Sequence, residues 1–235
     1  MIALITSCIS PATLEDGAIR SFINEEQRLQ QTITTINKLK EYPLNKLYLL
    51  DNSHSFDFEQ LKSQTGTNLN IRHFQQYQFI NKGINELLML LAIVDELPGD
   101  EPILKITGRY VPNEHFECNI EDDFDFKVLP YNFYSKTGTI STRAYFVANK
   151  AVYKQFLLKT LNEVFVYPTR IVGLRSAWNA IQQFLNPSTS IPINVSIEFA
   201  AARVLKMGKY KVQFAEPIGI EGTVAGSDQL DFISE

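Results

Sequence analysis

The chain has few of the residues that would mark a disulfide-stabilised, zinc-binding or nucleic-acid-binding protein. Its 235 residues include two cysteines and three histidines, which form neither a disulfide framework nor a zinc-ligand pattern. The formal net charge is −4, whereas a general nucleic-acid binder needs a basic face to meet the phosphate backbone. No apolar run approaches the roughly 20 residues that span a bilayer. We therefore expect no nucleic-acid partner and a cytoplasmic location.

The remaining composition is that of an ordinary globular protein. Hydrophobic residues make up 45% of the chain and charged residues 20%, so disorder is not indicated. A chain of this size buries a core without further covalent support. Because no internal repeat or low-complexity linker divides the sequence, we expect residues 1–235 to form a single domain.

Strand and helix patterns alternate through the first half. Apolar runs rich in β-branched residues predict buried strands, and apolar residues at helical spacing predict amphipathic helices. The predicted strands span residues 2–9, 46–50, 70–74 and 103–107, and the predicted helices span residues 25–40 and 83–97. This alternation indicates an α/β fold with a mostly parallel central sheet flanked by helices. Cys8, within the first apolar run, is predicted to be a buried thiol.

The second half has a different pattern and is predicted to be largely helical. Residues 113–134 are aromatic and acidic without a clear period, which is typical of a long loop or an insertion. The elements predicted after this loop are a strand over residues 140–148, helices over 153–161, 174–185 and 195–207, a strand over 211–214 and a glycine-rich loop over 219–226. The apolar stripe of the middle helix, which includes Trp178, is more typical of core than of a sugar-binding platform.

Charged residues follow several of these predicted strands. Asp51 ends the second strand, while Lys105 and Arg109 lie near the end of the strand that begins at Ile103. Ligands in open α/β sheets bind beyond the carboxyl ends of the strands, and Arg and Lys are suited to phosphates. Lys82-Gly83 opens a helix whose amino terminus would attract an anion. If the strands end at one edge, the site fits a nucleoside diphosphate; alternatively, these residues form solvated turns and helix caps.

Four segments together resemble a family. They are Ser-Cys-Ile-Ser-Pro at residues 7–11, Leu-Leu-Asp-Asn-Ser at 49–53, Lys-Gly-x-x-Glu at 82–86 and Lys-Ile-Thr-Gly-Arg-Tyr at 105–110. In this order they resemble bacterial glycosyltransferases with a GT-A-like fold that act in the synthesis of surface polysaccharides such as lipopolysaccharide; only the last segment is specific. The resemblance implies a nucleotide-sugar donor as co-substrate. It implies base and ribose contacts near Ser7, Asp51 and Ser53, and diphosphate contacts near Lys82, Lys105 and Arg109.

The resemblance extends to Thr142-Arg143 and Ile197-Glu198. It implies that residues 1–112 bind the donor and that residues 113–235 face a glycan or lipid-linked acceptor. Arg143 would lie near the acceptor or the diphosphate, and Glu198 would be the catalytic base of an inverting transfer. Alternatively, Arg143 is a surface charge and Glu198 is a first-turn acid that the helix dipole favours; a retaining enzyme would not need this base. A lipid-linked acceptor would bring the protein into peripheral contact with the inner face of the membrane.

The sequence departs from the family at the position where many of its members hold a divalent metal. They carry Asp-x-Asp after the strand that here ends in Thr107-Gly108-Arg109. Cationic side chains can neutralise a diphosphate in place of a metal, so we expect no metal requirement. Asp123-Phe124-Asp125 lies further along, beside Glu121 and Asp122. Its oxygen ligands suit Mg²⁺ or Mn²⁺, but such an acidic run is more typical of a solvated loop.

Two other function classes fit the same fold. A catalytically silent nucleotide-binding or adaptor domain is the first, because fold does not determine activity. A methyltransferase is the second. Against it, the first strand is not followed by the glycine-rich loop that would bind a phosphate or an adenosine group. Donor hydrolysis or transfer would distinguish the leading hypothesis, a nucleotide-sugar-dependent glycosyltransferase, from a silent domain.

Overall fold

The computed structural model describes residues 1–12, 22–66, 69–77, 79, 81–118, 123–171, 173–185, 195–224 and 231–235. The strands within these ranges are β1 Ile2–Ser7, β2 Lys46–Asp51, β3 Leu69–His73, β4 Ile103–Thr107, β5 Tyr110–Pro112, β6 Phe126–Tyr131, β7 Thr139–Val147, β8 Val212–Phe214, β9 Ile220–Thr223 and β10 Phe232–Ser234. The helices are α1 Glu25–Leu39, α2 Glu59–Thr65, α3 Lys82–Val94, α4 Lys150–Val166, α5 Leu174–Leu185 and α6 Ile197–Met207, with a short 3₁₀ turn at Tyr167–Thr169. Each of these helices is too short or too polar to cross a bilayer.

Seven strands form one central sheet in the order β3-β2-β1-β4-β7-β6-β8. Strand β1 pairs in parallel with both β2 and β4, and β7 is antiparallel to its two neighbours. The expected α/β class, with a mostly parallel sheet flanked by helices, is confirmed. The chain moves outward from β1 to β2 and β3 and then returns to place β4 on the other side of β1, so the strand order reverses between β1 and β4. Such a reversal leaves a crevice at the carboxyl ends of the two strands.

The two faces of the sheet are covered by different helices. Ile84 of α3, Phe156 of α4 and Ala201 of α6 belong to one buried apolar cluster, while Ile36 of α1 and Leu61 of α2 belong to the other. Alternate residues of each strand point to opposite faces, and both faces are buried as is usual for parallel strands. This arrangement accounts for the continuous apolar runs that predicted the strands.

The elements predicted in the first half are confirmed, with ends displaced by up to three residues. Helix α1 begins where a reciprocal cap forms: the Asn24 side chain accepts from the Gln27 backbone N–H, and the Gln27 side chain accepts from the Asn24 backbone N–H. This capping box satisfies two donors that the first helical turn leaves unpaired. Helix α3 begins in a similar way, with the Asn81 side chain accepting from the Gly83 N–H at 3.1 Å.

The prediction of a long loop or insertion over residues 113–134 is wrong for residues 126–131. Residues Phe126–Tyr131 form β6, an inner strand of the central sheet in which Phe126 and Val128 are fully buried. Pro130 cannot donate a ladder hydrogen bond and normally argues against an inner strand. Here the pairing register shifts between Val128 and Pro130, and this bulge accommodates the proline.

The rest of the second half is partly as predicted. Strands β7 and β8 and helices α4, α5 and α6 are confirmed, and the half also contains three strands that were not predicted, β6, β9 and β10. The last two pair with β5 in a small second sheet. The apolar stripe of α5 is not core, because Leu174 and Trp178 are exposed. Three predicted features lie outside the described residues: the helix end at Asn186-Pro187, the acidic pair Glu121-Asp122, and Gly226.

Phe126→Ala tests whether β6 belongs to the core. The Phe126 ring lies 4.5 Å from that of Phe156 and 5.3 Å from that of Tyr210, measured between centroids. Removing a buried aromatic side chain leaves a cavity, so we expect the free energy of unfolding to fall by about 3–5 kcal/mol in urea denaturation. Tyr134→Ala, at an exposed position nearby in sequence, should change it by less than about 0.5 kcal/mol. A similarly small effect at Phe126 would contradict the placement of β6.

Candidate functional site

A cavity of about 630 Å³ opens at the carboxyl ends of β1 and β4. Thr6, Ser7 and Thr107 line it at these two strand ends. The other walls come from α1, the amino-terminal turns of α3 and α6, and β7. The cavity therefore lies at the crevice that the reversal of strand order creates. Of the predicted site residues, those that line it are Ser7, Lys82, Arg109, Arg143 and Glu198.

Asp51 and Ser53 do not line the cavity. The buried Asp51 carboxylate accepts hydrogen bonds from the backbone N–H of Ile9 at 3.2 Å and of Ser53 at 2.8 Å. Ser53 Oγ in turn accepts from the Ser10 N–H at 2.8 Å. These bonds connect the segment after β1 to the segment after β2. They agree better with the alternative interpretation of Asp-Asn-Ser as a turn than with a contact to ribose.

Lys105 is also buried rather than open to the cavity, since its side chain is 1% exposed. Its position in β4 directs it toward the face covered by α3, where its Nζ lies 2.5 Å from Glu86 Oε1. The ammonium group also donates to Thr107 Oγ1 at 3.1 Å and to the Thr142 carbonyl oxygen. The expected direct contact between Lys105 and a diphosphate is therefore not supported by its position.

Lys105 connects the two acidic side chains of the cavity. Glu86 pairs with it directly, while Thr142, whose carbonyl accepts from Lys105, uses its Oγ1 to donate to Glu198 Oε1 at 3.2 Å. Both Glu86 and Glu198 line the cavity. A continuous series of polar contacts thus joins α3, β4, β7 and α6. We call Glu86 and Glu198 the acidic wall of the cavity.

Arg28 and Arg109 form the basic wall of the cavity. Neither guanidinium group lies within 4.0 Å of a carboxylate among the described residues. Arg28 is held by backbone carbonyls, donating to Cys8 at 2.5 Å and to Ile23 at 3.2 Å. Burial lowers the pKa of Arg28, and the nearby charge of Arg109 lowers it further. The charges of Cys8 and Asp51 partly offset this lowering. Because the described residues place no carboxylate within ion-pair distance of either arginine, an anion would stabilise the two neighbouring cations.

Arg143 also lines the cavity and is neutralised by Glu235. Its Nη1 forms an ion pair with the Glu235 carboxylate, and its Nε donates to Tyr110 Oη at 3.1 Å. Burial opposes the charged form, but Glu235 and Tyr110 outweigh it and raise the pKa of Arg143. Burial, together with the bond to Glu235, raises the pKa of Tyr131 to about 12. The alternative that Arg143 is a simple surface charge does not fit these contacts.

The amino-terminal turns of α3 and α6 meet at the cavity because Gly83 has no side chain. A Cβ atom at Gly83 would lie 2.3 Å from Ile197 Cγ2, which a real structure does not tolerate. Asn81 Nδ2 also donates to the Val195 carbonyl at 2.6 Å. The glycine thus permits close packing against α6, rather than the close approach of a ligand, and this packing brings Lys82 and Glu198 to the same cavity.

The loop after β1 contributes two smaller side chains. Ser7 Oγ lies 3.2 Å from Thr32 Oγ1 of α1. Cys8 follows the strand rather than lying within it, and its thiol is half-buried at the cavity with Gln76 Nε2 3.1 Å from the sulfur. The prediction that Cys8 is fully buried is therefore wrong.

Arg28 and Glu86 are cavity residues that the sequence analysis did not select. Arg28, Thr32 and Thr35 recur at i, i+4 and i+7 on a buried part of α1, a polar stripe that could have marked a functional face. Glu86 is the last residue of the Lys-Gly-x-x-Glu segment and follows Lys82 by four residues, so both lie on one face of α3. The spacing was visible, but the partner of Glu86 on β4 was not.

The literal Asp123-Phe124-Asp125 motif is engaged elsewhere. Asp123 Oδ2 lies 2.5 Å from Lys211 Nζ, and Asp125 Oδ2 accepts from the Lys211 backbone N–H at 2.9 Å. In the part of the chain that the structure describes, no three His, Cys, Asp or Glu side chains are grouped to hold a metal ion. Neither aspartate lines the cavity.

Comparison with known proteins gives distant structural likenesses. No protein-family model and no curated protein matches the sequence. Solved structures that resemble it include a nucleoside-diphosphate-sugar pyrophosphorylase from Vibrio cholerae (TM-score 0.47, 10% identity, covering 91% of each chain). A CTP:phosphocholine cytidylyltransferase from Streptococcus pneumoniae has a TM-score of 0.44 and 12% identity, with 97% of this chain and 95% of that chain covered.

A third likeness is to the galactosyltransferase LgtC in complex with donor and acceptor sugar analogs. Its TM-score is 0.45 and its identity 6%, with 92% of this chain and 73% of that chain covered. Likenesses at this level do not establish an activity for this chain, so the functional argument depends on the geometry of the cavity.

Asp51→Ala tests the structural role of this carboxylate. Its loss leaves the buried N–H groups of Ile9 and Ser53 without an acceptor, so we expect the free energy of unfolding to fall by about 2–4 kcal/mol. Asp51→Asn retains an acceptor oxygen and should cost less. The control is Asp95→Ala, which removes an exposed aspartate. An Asp51→Ala protein with wild-type stability and impaired ligand binding would instead support the ribose contact first expected.

Proposed function

We propose that this protein is a glycosyltransferase that moves a sugar from a nucleotide-sugar donor to a glycan or lipid-linked acceptor. The observation that carries the proposal is the charge arrangement of the cavity. Arg28 and Arg109 form a basic wall with no carboxylate partner among the described residues, and Glu86 and Glu198 form an acidic wall. A nucleotide-sugar has the matching parts, a diphosphate for the arginines and a sugar rich in hydroxyl groups for the carboxylates.

The position of the cavity agrees with this proposal. It lies beyond the carboxyl ends of β1 and β4, where the strand order reverses and where α/β sheets bind nucleotides. Lys82 lies in the first turn of α3, so the partial positive charge of that helix end adds to the basic wall. The diphosphate would then be neutralised by Arg28, Arg109 and Lys82, without a requirement for metal.

Glu198 is the proposed general base. It lies in the first turn of α6, and its Oε1 accepts from Thr142 Oγ1. A carboxylate that faces the cavity can take the proton of an acceptor hydroxyl as that oxygen attacks the sugar carbon and the diphosphate leaves. Residues 1–112 would then supply most of the donor site and residues 113–235 the acceptor side, with Arg143 near the acceptor or the diphosphate.

The wider role follows from the same proposal. We infer synthesis of a surface polysaccharide such as lipopolysaccharide, in the cytoplasm and, with a lipid-linked acceptor, in peripheral contact with the membrane. The alternative is a catalytically silent domain that binds a nucleotide in the same cavity. Both functions require nucleotide binding, so only transfer or hydrolysis of a donor distinguishes them.

Arg109→Ala should weaken the binding of nucleoside diphosphates. A thermal-shift panel of UDP, GDP, CMP and their common sugar conjugates would first identify the ligand, because saturation at a hundredfold over Kd stabilises by about 2.7 kcal/mol. Loss of a charge-assisted bond to phosphate should then raise Kd by roughly tenfold to a hundredfold in calorimetry.

The matched control is Arg72→Ala, which removes an exposed arginine of β3 that pairs with Glu96. It should leave Kd unchanged. Binding that survives Arg109→Ala unaltered would remove the proposed diphosphate site, and a shift seen only with added Mg²⁺ or Mn²⁺ would contradict the metal-free site.

Glu198→Gln should abolish transfer while retaining donor binding. A missing general base costs roughly 10²–10⁴-fold in rate, whereas the amide retains an acceptor for Thr142. The assay would offer a panel of sugar acceptors and measure transfer as the amount of nucleoside diphosphate released. Glu25→Gln is the control, because Glu25 is also a first-turn acid but is exposed on α1. A fully active Glu198→Gln enzyme would show that the residue serves only the helix dipole.

A further inference from the structure

The proposed function matches the acidic wall as a whole with sugar hydroxyl groups and gives Glu86 no catalytic step and no particular contact. Glu86 lies on α3 one turn beyond Lys82, and its side chain is 20% exposed at the cavity wall. A carboxylate of this kind would repel a diphosphate, so its contact with a ligand must be with a hydrogen-bond donor.

The two oxygen atoms of Glu86 have different surroundings. Oε1 accepts from Thr6 Oγ1 at 2.6 Å and lies 2.5 Å from Lys105 Nζ. Oε2 accepts no hydrogen bond from any residue that the structure describes. The carboxylate is therefore held by one oxygen and has the other available as an acceptor. A donor hydroxyl group of a bound molecule would satisfy it.

From this geometry we propose that Glu86 Oε2 binds a hydroxyl group of the donor sugar, and that Lys105 is the residue that positions it. The inference rests on the proposed function and adds the part of the site that selects the sugar. Arg28 and Arg109 would hold the diphosphate at the basic wall, while Glu86 distinguishes a nucleotide-sugar from the nucleotide alone.

The burial of Lys105 supports a positioning role. A buried ion pair is weak evidence for stability, because the desolvation of both ions offsets their attraction. Replacing such a pair with apolar side chains of similar volume is often neutral or stabilising. The Lys105–Glu86 pair is thus better explained by the orientation it imposes, since Thr107 and the Thr142 carbonyl fix the ammonium group on its other sides.

The experiment compares two affinities in each protein. Isothermal titration would measure Kd for the nucleoside diphosphate that binds the wild type and Kd for its sugar conjugate, and the ratio of the two is the sugar increment. The variants are Glu86→Gln, Lys105→Met and the double variant E86M/K105M, in which apolar side chains replace the ion pair. Urea denaturation would confirm that each variant is folded before titration.

We expect the sugar increment to fall by roughly tenfold in Glu86→Gln and in E86M/K105M, because a hydrogen bond to a charged acceptor is lost. In Lys105→Met the increment should fall as well, although the carboxylate is still present. Kd for the nucleoside diphosphate should stay within about twofold of wild type in all three. A merely structural role would change both affinities together. Glu96→Gln, at an exposed position, is the control and should change neither.

The outcomes separate this inference from the function on which it rests. A sugar increment within about twofold of wild type in both Glu86→Gln and E86M/K105M would overturn the inference while leaving nucleotide binding intact. A wild-type protein that binds the nucleotide and its sugar conjugate equally would also overturn it. If no nucleotide or nucleotide-sugar binds the wild type, the proposed function fails, and the inference fails with it.

Discussion

The arrangement of the site depends on the contacts of one buried cation, the ammonium group of Lys105. A cation removed from water must be surrounded by acceptors, and the structure supplies them from its own strand, from β7 and from α3. Because these acceptors come from three elements, the charge constrains where each of them can lie. The acidic wall of the cavity is built on this constraint, since Glu86 and Glu198 are both attached to it, one directly and the other through Thr142.

The basic wall is organised in the opposite way. Arg28 and Arg109 come from α1 and from the end of β4, and the described residues offer neither of them a carboxylate within ion-pair distance. Burial is the main cause of the lowered pKa of Arg28, and repulsion by Arg109 adds to it. At the acidic wall, Glu86 is paired with Lys105, and Glu198 accepts a hydrogen bond from Thr142. Under the proposed function, an anionic ligand would lessen the repulsion at the basic wall, and its hydroxyl groups would donate to the carboxylates.

Local patterns predicted most of the elements, and the exceptions have physical causes. Strand β6 was not predicted because the aromatic and acidic segment that contains it shows no clear period. The apolar stripe of α5 was predicted to be core. Helical spacing indicates that a helix is amphipathic, but it does not show what covers the apolar face. Among the site residues, Arg109, Lys82 and Glu198 could be selected from strand ends and helix starts. Lys105 was predicted to contact a diphosphate from a strand end, although both faces of a parallel sheet are usually buried.

The α/β class, the strand ends at the cavity and most of the charged residues that line it could be predicted from the sequence, because these follow from periodicity and from turn and cap chemistry. The pairing of those charges could not be predicted, because it depends on how the helices and strands pack. The ion pairs of Lys105 with Glu86 and of Arg143 with Glu235 join segments far apart in the chain. Likewise, α6 packs closely on α3 because Gly83 has no side chain to clash with Ile197. No local pattern records such distances, since they arise when helices and strands pack against one another.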